Sequence, residues 1–197
     1  MQSIAGMLPS SRATVLTGAA ATEPNVRRSL RGKSLLHFAT HGIVQNEERL
    51  SSYLALAGGQ LSQGPPHDDA TDGRLTANET YDLALDADLI VLSGCRTALG
   101  PVIGDGVIGF TRGFLVAGAS SVVATMWDVP DRTSFEIMTG FYRSWMSSGT
   151  AAGKSRALRQ AQLAVLRALR AGRIQVGGVT LPESPRLWAG YVLVGQP

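Results

Sequence analysis

The chain carries a single cysteine, Cys95, in 197 residues. One thiol excludes an internal disulfide framework and a cysteine-rich zinc site. It fits a reducing compartment, where the thiol stays available for reaction. Charge is sparse as well: 17% of the residues are Asp, Glu, Lys or Arg, and the formal net charge is +3. The basic residues are scattered through helix-like stretches instead of forming a tract, so no direct nucleic-acid binding is expected. The opening residues 1–9 lack the charged and long apolar regions of a secretory signal. No run approaches the roughly 18 apolar residues that a membrane span needs. No internal repeat is visible. These absences define an expectation: one soluble, cytoplasmic domain over residues 1–197, with no membrane partner, no metal and no cofactor.

What is present is an alternation of buried strands and amphipathic helices. Residues 89–92 form an unbroken apolar run that ends at Ser93 and Gly94, directly before Cys95. Such a run marks a strand covered on both faces of a mainly parallel sheet. Residues 34–42 read the same way and end in His41 and Gly42. A third buried strand is expected over 121–126, shorter ones over 13–17 and 53–57, and a last one over 188–194. A helix is expected from its cap Thr22, with Glu23 and Pro24 in the first turn, to Arg31, where Gly32 stops it. Thr76 and Glu79 form a capping box for a short helix reaching Leu85. An apolar helix over 107–117 closes at Gly118. Asp131 caps a helix over 132–146, in which Phe135, Met138, Phe141, Tyr142 and Trp145 fall at helical spacing. Another helix starts at Thr150, with Ala157, Leu158, Ala161, Leu163, Ala164, Val165, Leu166 and Leu169 as its apolar members. Residues 1–12 read as an irregular lead-in, and 100–106 as a glycine-rich turn. Residues 58–74, rich in Gly, Pro and Asp and poor in apolar side chains, read as a mobile surface loop. This order of elements gives a three-layer α/β sandwich, a mainly parallel central sheet flanked by helices.

A cysteine nucleophile needs a base or field that makes thiolate, donors for the oxyanion, and access for substrate. Cys95 follows the carboxyl end of a buried strand, where open α/β sheets collect their chemistry. His41 follows the end of another and can act as the base. The backbone N–H groups of Gly42 and Cys95 can serve the oxyanion, because glycine lets a carbonyl approach closely. Ser93 and Gly94 are small and leave room for a peptide backbone. The 54 positions from His41 to Cys95 match the spacing of about 50 described for caspase-type enzymes. The bland alternative is an inert buried thiol, a common state of free cysteine. His37, four residues before His41, reads as a hydrogen-bonded core histidine, and His67 as a solvated loop residue.

Nearly the whole chain, from about residue 13 to 195, resembles the CHAT domain family of caspase-like proteins. The blocks that carry the resemblance are LHFATHG at 36–42, GRLT at 73–76, LSGCRTALG at 92–100 and the apolar stretch 106–118. They continue with 122–131, which includes WDVPD, then ALRQA at 157–161 and WAGYVLVG at 188–195. The resemblance implies a caspase/separase-like cysteine endopeptidase fold, with His41 as base and Cys95 as nucleophile. Gly94 departs from the alanine common in these domains, a small change that should preserve the dyad. CHAT domains are usually attached to sensor or tetratricopeptide-type modules, and some act in prokaryotic defence or programmed cell death. No such module is recognisable here, so a regulatory sensor domain or partner chain is expected to supply control. The function implied is cleavage of a protein or peptide substrate through an acyl-enzyme, as effector of a prokaryotic signalling or defence system. The alternative is an inactive caspase-like interaction or scaffold module, against which the intact His41 and Cys95 argue.

Specificity has its own candidates. Ser93, two residues before Cys95, shares its strand face, where some caspase-like relatives carry an acid that helps hold a basic P1 residue. With serine there, an acid must come from elsewhere. The WDVPD stretch resembles one in separases, where Trp and Asp help form an arginine pocket. Trp127 is then a flat wall, and Asp131, or else Asp128, the charge partner. Asp131 equally suits a helix cap.

Overall fold

The structure, a computed structural model, describes residues 2–7, 13–44, 51–58, 72–94, 109–147 and 153–197. In chain order the first elements are α1 (Gln2–Ala5), a 3-10 turn (Gly18–Ala20), α2 (Glu23–Leu30), β1 (Leu35–Phe38), β2 (Gly42–Ile43) and β3 (Tyr53–Ala55). Then come β4 (Arg74–Thr76), α3 (Ala77–Thr80), β5 (Leu89–Leu92), α4 (Phe110–Val116) and β6 (Ser121–Thr125). The last are α5 (Asp131–Ser147), α6 (Lys154–Arg170), β7 (Gln175–Val176), β8 (Val179–Thr180), α7 (Pro185–Trp188) and β9 (Tyr191–Gly195). The chain divides into two compact units: one is Thr14–Trp127 with Val194–Gln196, the other Met1–Ala13 with Asp128–Leu193 and Pro197.

The strand order of the main sheet is β1-β5-β6-β9, and β1, β5 and β6 lie in the first unit. β1 and β5 run parallel with Leu35 opposite Leu89 and Phe38 opposite Leu92; β5 and β6 run parallel with Val91 opposite Val123. Every residue of β5 and of β6 is buried. This is the unbroken apolar pattern of strands covered on both faces, and the mainly parallel α/β sheet expected from it holds, consistent with the caspase-like fold that the resemblance implies. Phe114 of α4 is fully buried and stacks on Phe38 at 5.7 Å between ring centroids. A smaller antiparallel sheet, β2-β3-β4, pairs Gly42 with Leu54 and Leu54 with Leu75. Thr76 and Glu79 form the capping box: Thr76 Oγ1 accepts from the Glu79 amide, and the Glu79 carboxylate accepts from the Thr76 amide.

The second unit is built on α5 and α6. Ile137, Met138, Phe141 and Tyr142 are the buried apolar members of α5, and Ala157, Leu158, Ala161, Val165, Leu166 and Leu169 those of α6. The helices come close at Gly140, where a Cβ would lie 3.3 Å from that of Ala161. Gln162 Nε2 donates to the Tyr191 carbonyl at 2.9 Å, and the Tyr191 hydroxyl donates to Ser134 Oγ at 3.1 Å.

Several local expectations are corrected. Residues 13–17 form no strand; Val15 is 43% exposed, so burial gives an extended run nothing to pack against. The lead-in holds one helical turn, α1. β1 stops at Phe38, so His41 stands in the connection to β2 and not on the same strand, and Gly42 and Ile43 form a separate strand, although loop was expected from Ile43 on. Arg74, expected as the last residue of the 58–74 loop, belongs to β4. α3 makes one turn and does not reach Leu85, because the following backbone is committed elsewhere. The Leu85 amide donates to the Ala117 carbonyl, Ala87 bridges Ala119, and the Ser120 amide donates to the Ala87 carbonyl. Pro130, not Asp131, occupies the cap position of α5: its carbonyl accepts from the Ser134 amide at 2.9 Å, and Asp131 is the first helical residue. Phe135, Leu163 and Ala164 are at least partly exposed. The final strand starts at Tyr191, since 185–188 form α7. The β7–β8 hairpin was missed, although its two-residue turn is Gly177-Gly178, both at positive φ (56° and 80°). The expected glycine-rich turn at 100–106, the start at Thr150 and residues 59–71 of the loop lie outside the described residues.

Candidate functional site

Phe38 and Leu92, the last residues of β1 and β5, are paired, and strands so paired lie about 4.8 Å apart. Three positions beyond each comes a candidate residue, His41 after Phe38 and Cys95 after Leu92. Backbone and side chain together fix the approach to His41. The Ala55 amide donates to the His41 carbonyl at 2.9 Å, and the Thr40 hydroxyl donates to the Ala55 carbonyl. One residue of β3 thus holds two consecutive residues of the connection, and the His41 imidazole is exposed. Gly42 follows as the first residue of β2, opposite Leu54. Cys95, expected both as nucleophile and as oxyanion donor, lies outside the described residues, as does His67.

Ser93, expected beside a substrate side chain, has a partner inside the fold. Its Oγ is 2.7 Å from His37 Nε2 and 3.4 Å from the Phe38 carbonyl. Burial lowers the His37 pKa from 6.5 to about 4, because the low-dielectric surroundings disfavour the imidazolium. His37 is therefore neutral near pH 7, as the core role expected of it requires. The Ser93 amide donates to the Phe38 carbonyl at 2.9 Å, and the Thr125 hydroxyl to the Gly94 carbonyl at 2.7 Å. The last two described residues before Cys95 are thus tied to β1 and β6 respectively.

Trp127 follows β6 and is half-buried, in the same unit as Ser93. Asp128 and Asp131 belong to the other unit, where both are exposed. Among the described residues, no group of three or more His, Cys, Asp and Glu side chains is placed to hold a metal ion, and no helix is long and apolar enough to cross a membrane.

One cluster escaped the sequence reading. Arg27 of α2 bonds two carboxylates, Glu23 at 2.8 Å and Glu79 at 2.6 Å. Glu23 is fully buried, and its Oε2 has no hydrogen-bond partner among the described residues. Desolvation raises its pKa from 4.5 to about 7, against the opposing hydrogen bond from Arg27. The only signal in the sequence was the i, i+4 spacing of Glu23 and Arg27; the capping box carrying Glu79 had no visible link to it.

The parallel sheet and its helices place the protein in the caspase-like α/β class. The CHAT domain model matches residues 1–196, and the chain belongs to that family of caspase-like peptidases. The chain is 31% identical over 206 residues to Tetratricopeptide repeat protein 28 of Homo sapiens, and 31% identical over 209 residues to the protein of that name from Mus musculus. Each match covers 92% of this chain but 8% of the relative, so the chain spans under a tenth of the length of these curated relatives.

Proposed function

We propose that the protein is a cysteine endopeptidase acting on a protein or peptide substrate through His41 and Cys95. The observation that carries this reading is the level ending of two parallel strands, Phe38 opposite Leu92, with His41 and Cys95 each three residues beyond. Membership of the CHAT family supports it. In this reading His41 takes the Cys95 proton, and the thiolate sulfur attacks the scissile carbonyl carbon. The backbone amides of Gly42 and Cys95 stabilise the oxyanion. The His41 imidazolium then protonates the leaving amine, and water hydrolyses the thioester to release the acid and restore the thiol. On the sequence, Trp127 with Asp131 or Asp128 favours a basic P1 residue, and Ser93 enters only as a neighbour of the nucleophile. An effector role in signalling or defence, under a sensor domain or partner chain, rests on the family resemblance alone. The relatives above are mammalian and lend no support to a prokaryotic setting.

Labelling by a chloromethyl ketone peptide, read by intact mass, tests the dyad. One adduct is expected on the wild type, none on Cys95→Ala, and at least tenfold slower labelling on His41→Gln. Peptides ending in Arg, Lys or Leu should rank with the basic residues first. A Cys95 that alkylates no faster than free cysteine under every condition tried would instead favour the scaffold role.

A further inference from the structure

The outer face of α6 carries arginines that the helix itself does not explain. Residues 154–170 contain Lys154, Arg156, Arg159, Arg167 and Arg170 and no acid. At 100° per residue, the four arginines fall in one stripe about 80° wide, opposite the buried Ala157, Ala161, Val165 and Leu169. All four are exposed. The stripe runs about 21 Å at 1.5 Å per residue. Arg167 and Arg170 lie in the last turn, where the helix dipole favours cations. Arg156 lies in the first turn, where the dipole disfavours a cation; that turn has no acid, and Gly153 offers no side-chain cap. Helix stability therefore does not account for Arg156. Among the described residues, Arg170 pairs with Glu183 at 2.9 Å, and Arg156, Arg159 and Arg167 meet no carboxylate. Leu163 lies at the centre of the stripe, half-exposed, with the exposed Ala164 beside it. The compact unit that includes α6 carries ten Lys and Arg against four Asp and Glu, so its field adds to that of the stripe.

We propose that this face docks an acidic helical segment of a partner protein, its carboxylates meeting the guanidinium groups and one apolar side chain seated on Leu163. Guanidinium groups match carboxylates in a bidentate fork. An apolar centre within a charged rim is the anatomy of a protein interface, and Leu163 interrupts the row where a phosphate track would need it continuous. The proposal is independent of the peptidase reading.

Fluorescence anisotropy on the full chain tests it with two labelled probes of about 20 units. One is a synthetic helical peptide with glutamates at i, i+3, i+7, i+11 and i+14 and a central leucine; the other is a single-stranded DNA. The peptide should bind more tightly than the DNA, with affinity falling as salt rises. The double variant Arg156→Gln/Arg159→Gln should weaken the peptide about tenfold, and Leu163→Ser should weaken the peptide but not the DNA. Unchanged circular dichroism and Tm would establish that these exposed substitutions leave the fold intact. DNA bound as tightly as the peptide, no measurable peptide binding, or a peptide affinity unmoved by the double substitution each overturns the proposal.

Discussion

His37 and Glu23 are both held neutral near the pH where their free counterparts titrate or are already charged, and their effects on stability have opposite signs. For His37 the folded pKa is about 4 and the unfolded one 6.5. Between those values the unfolded chain binds the extra proton, so stability rises with pH and is lost as pH falls toward 4. For Glu23 the folded pKa is about 7 and the unfolded one 4.5. Across that window the folded chain holds the extra proton, so the contribution present below pH 4.5 fades as pH rises to 7. The windows overlap between pH 4.5 and 6.5, where the two slopes offset each other. Urea unfolding should therefore find the wild type nearly flat in this range. Glu23→Gln, neutral at every pH, should expose the His37 slope, a rise on the order of 2 kcal/mol across it. His37→Gln should slope the other way. A wild type as steep as Glu23→Gln would contradict the assignment.

Close approaches between helices hinge on glycine at two places, with different outcomes expected. At Gly113 of α4, an added Cβ would fall inside the van der Waals radius of the Thr80 hydroxyl, which is fully buried and bonded to the Ala77 carbonyl. Gly113→Ala should cost about 1–3 kcal/mol, the range for overpacking a core. At Gly140 of α5 the nearest atom is the Ala161 Cβ at 3.3 Å, which needs only a small adjustment. There the gain in helix propensity, about 1 kcal/mol for alanine over glycine, offsets the crowding, and thermal denaturation of Gly140→Ala should differ little from the wild type. The sequence made the two-sided strands β5 and β6 legible because burial on both faces leaves an unbroken apolar run. It made the capping box legible because that motif is local. It did not reveal the early end of α3, since the bond from Leu85 to Ala117 joins residues far apart in the chain. The His37–Ser93 bond was hidden for a related reason: it depends on the register that sets Phe38 opposite Leu92.

Over the whole molecule, the pairings differ greatly in how much chain they must close. Leu35 pairs with Leu89, and Ile90 with Val122, across intervening stretches that carry other elements. α5 and α6 follow one another directly in sequence and pack together. Contacts of high sequence separation pay loop-closure entropy before any contact rewards it, and a parallel sheet made this way is a late event in folding. Pulse-labelled hydrogen exchange during refolding should show amides of 158–169 protected before those of 89–92; the reverse order would contradict this view. The strand ends at Ser93 and Gly94 would then be among the last parts of the chain to reach their native partners, so a partly folded chain has its α5–α6 pair before it has the ends of its central strands.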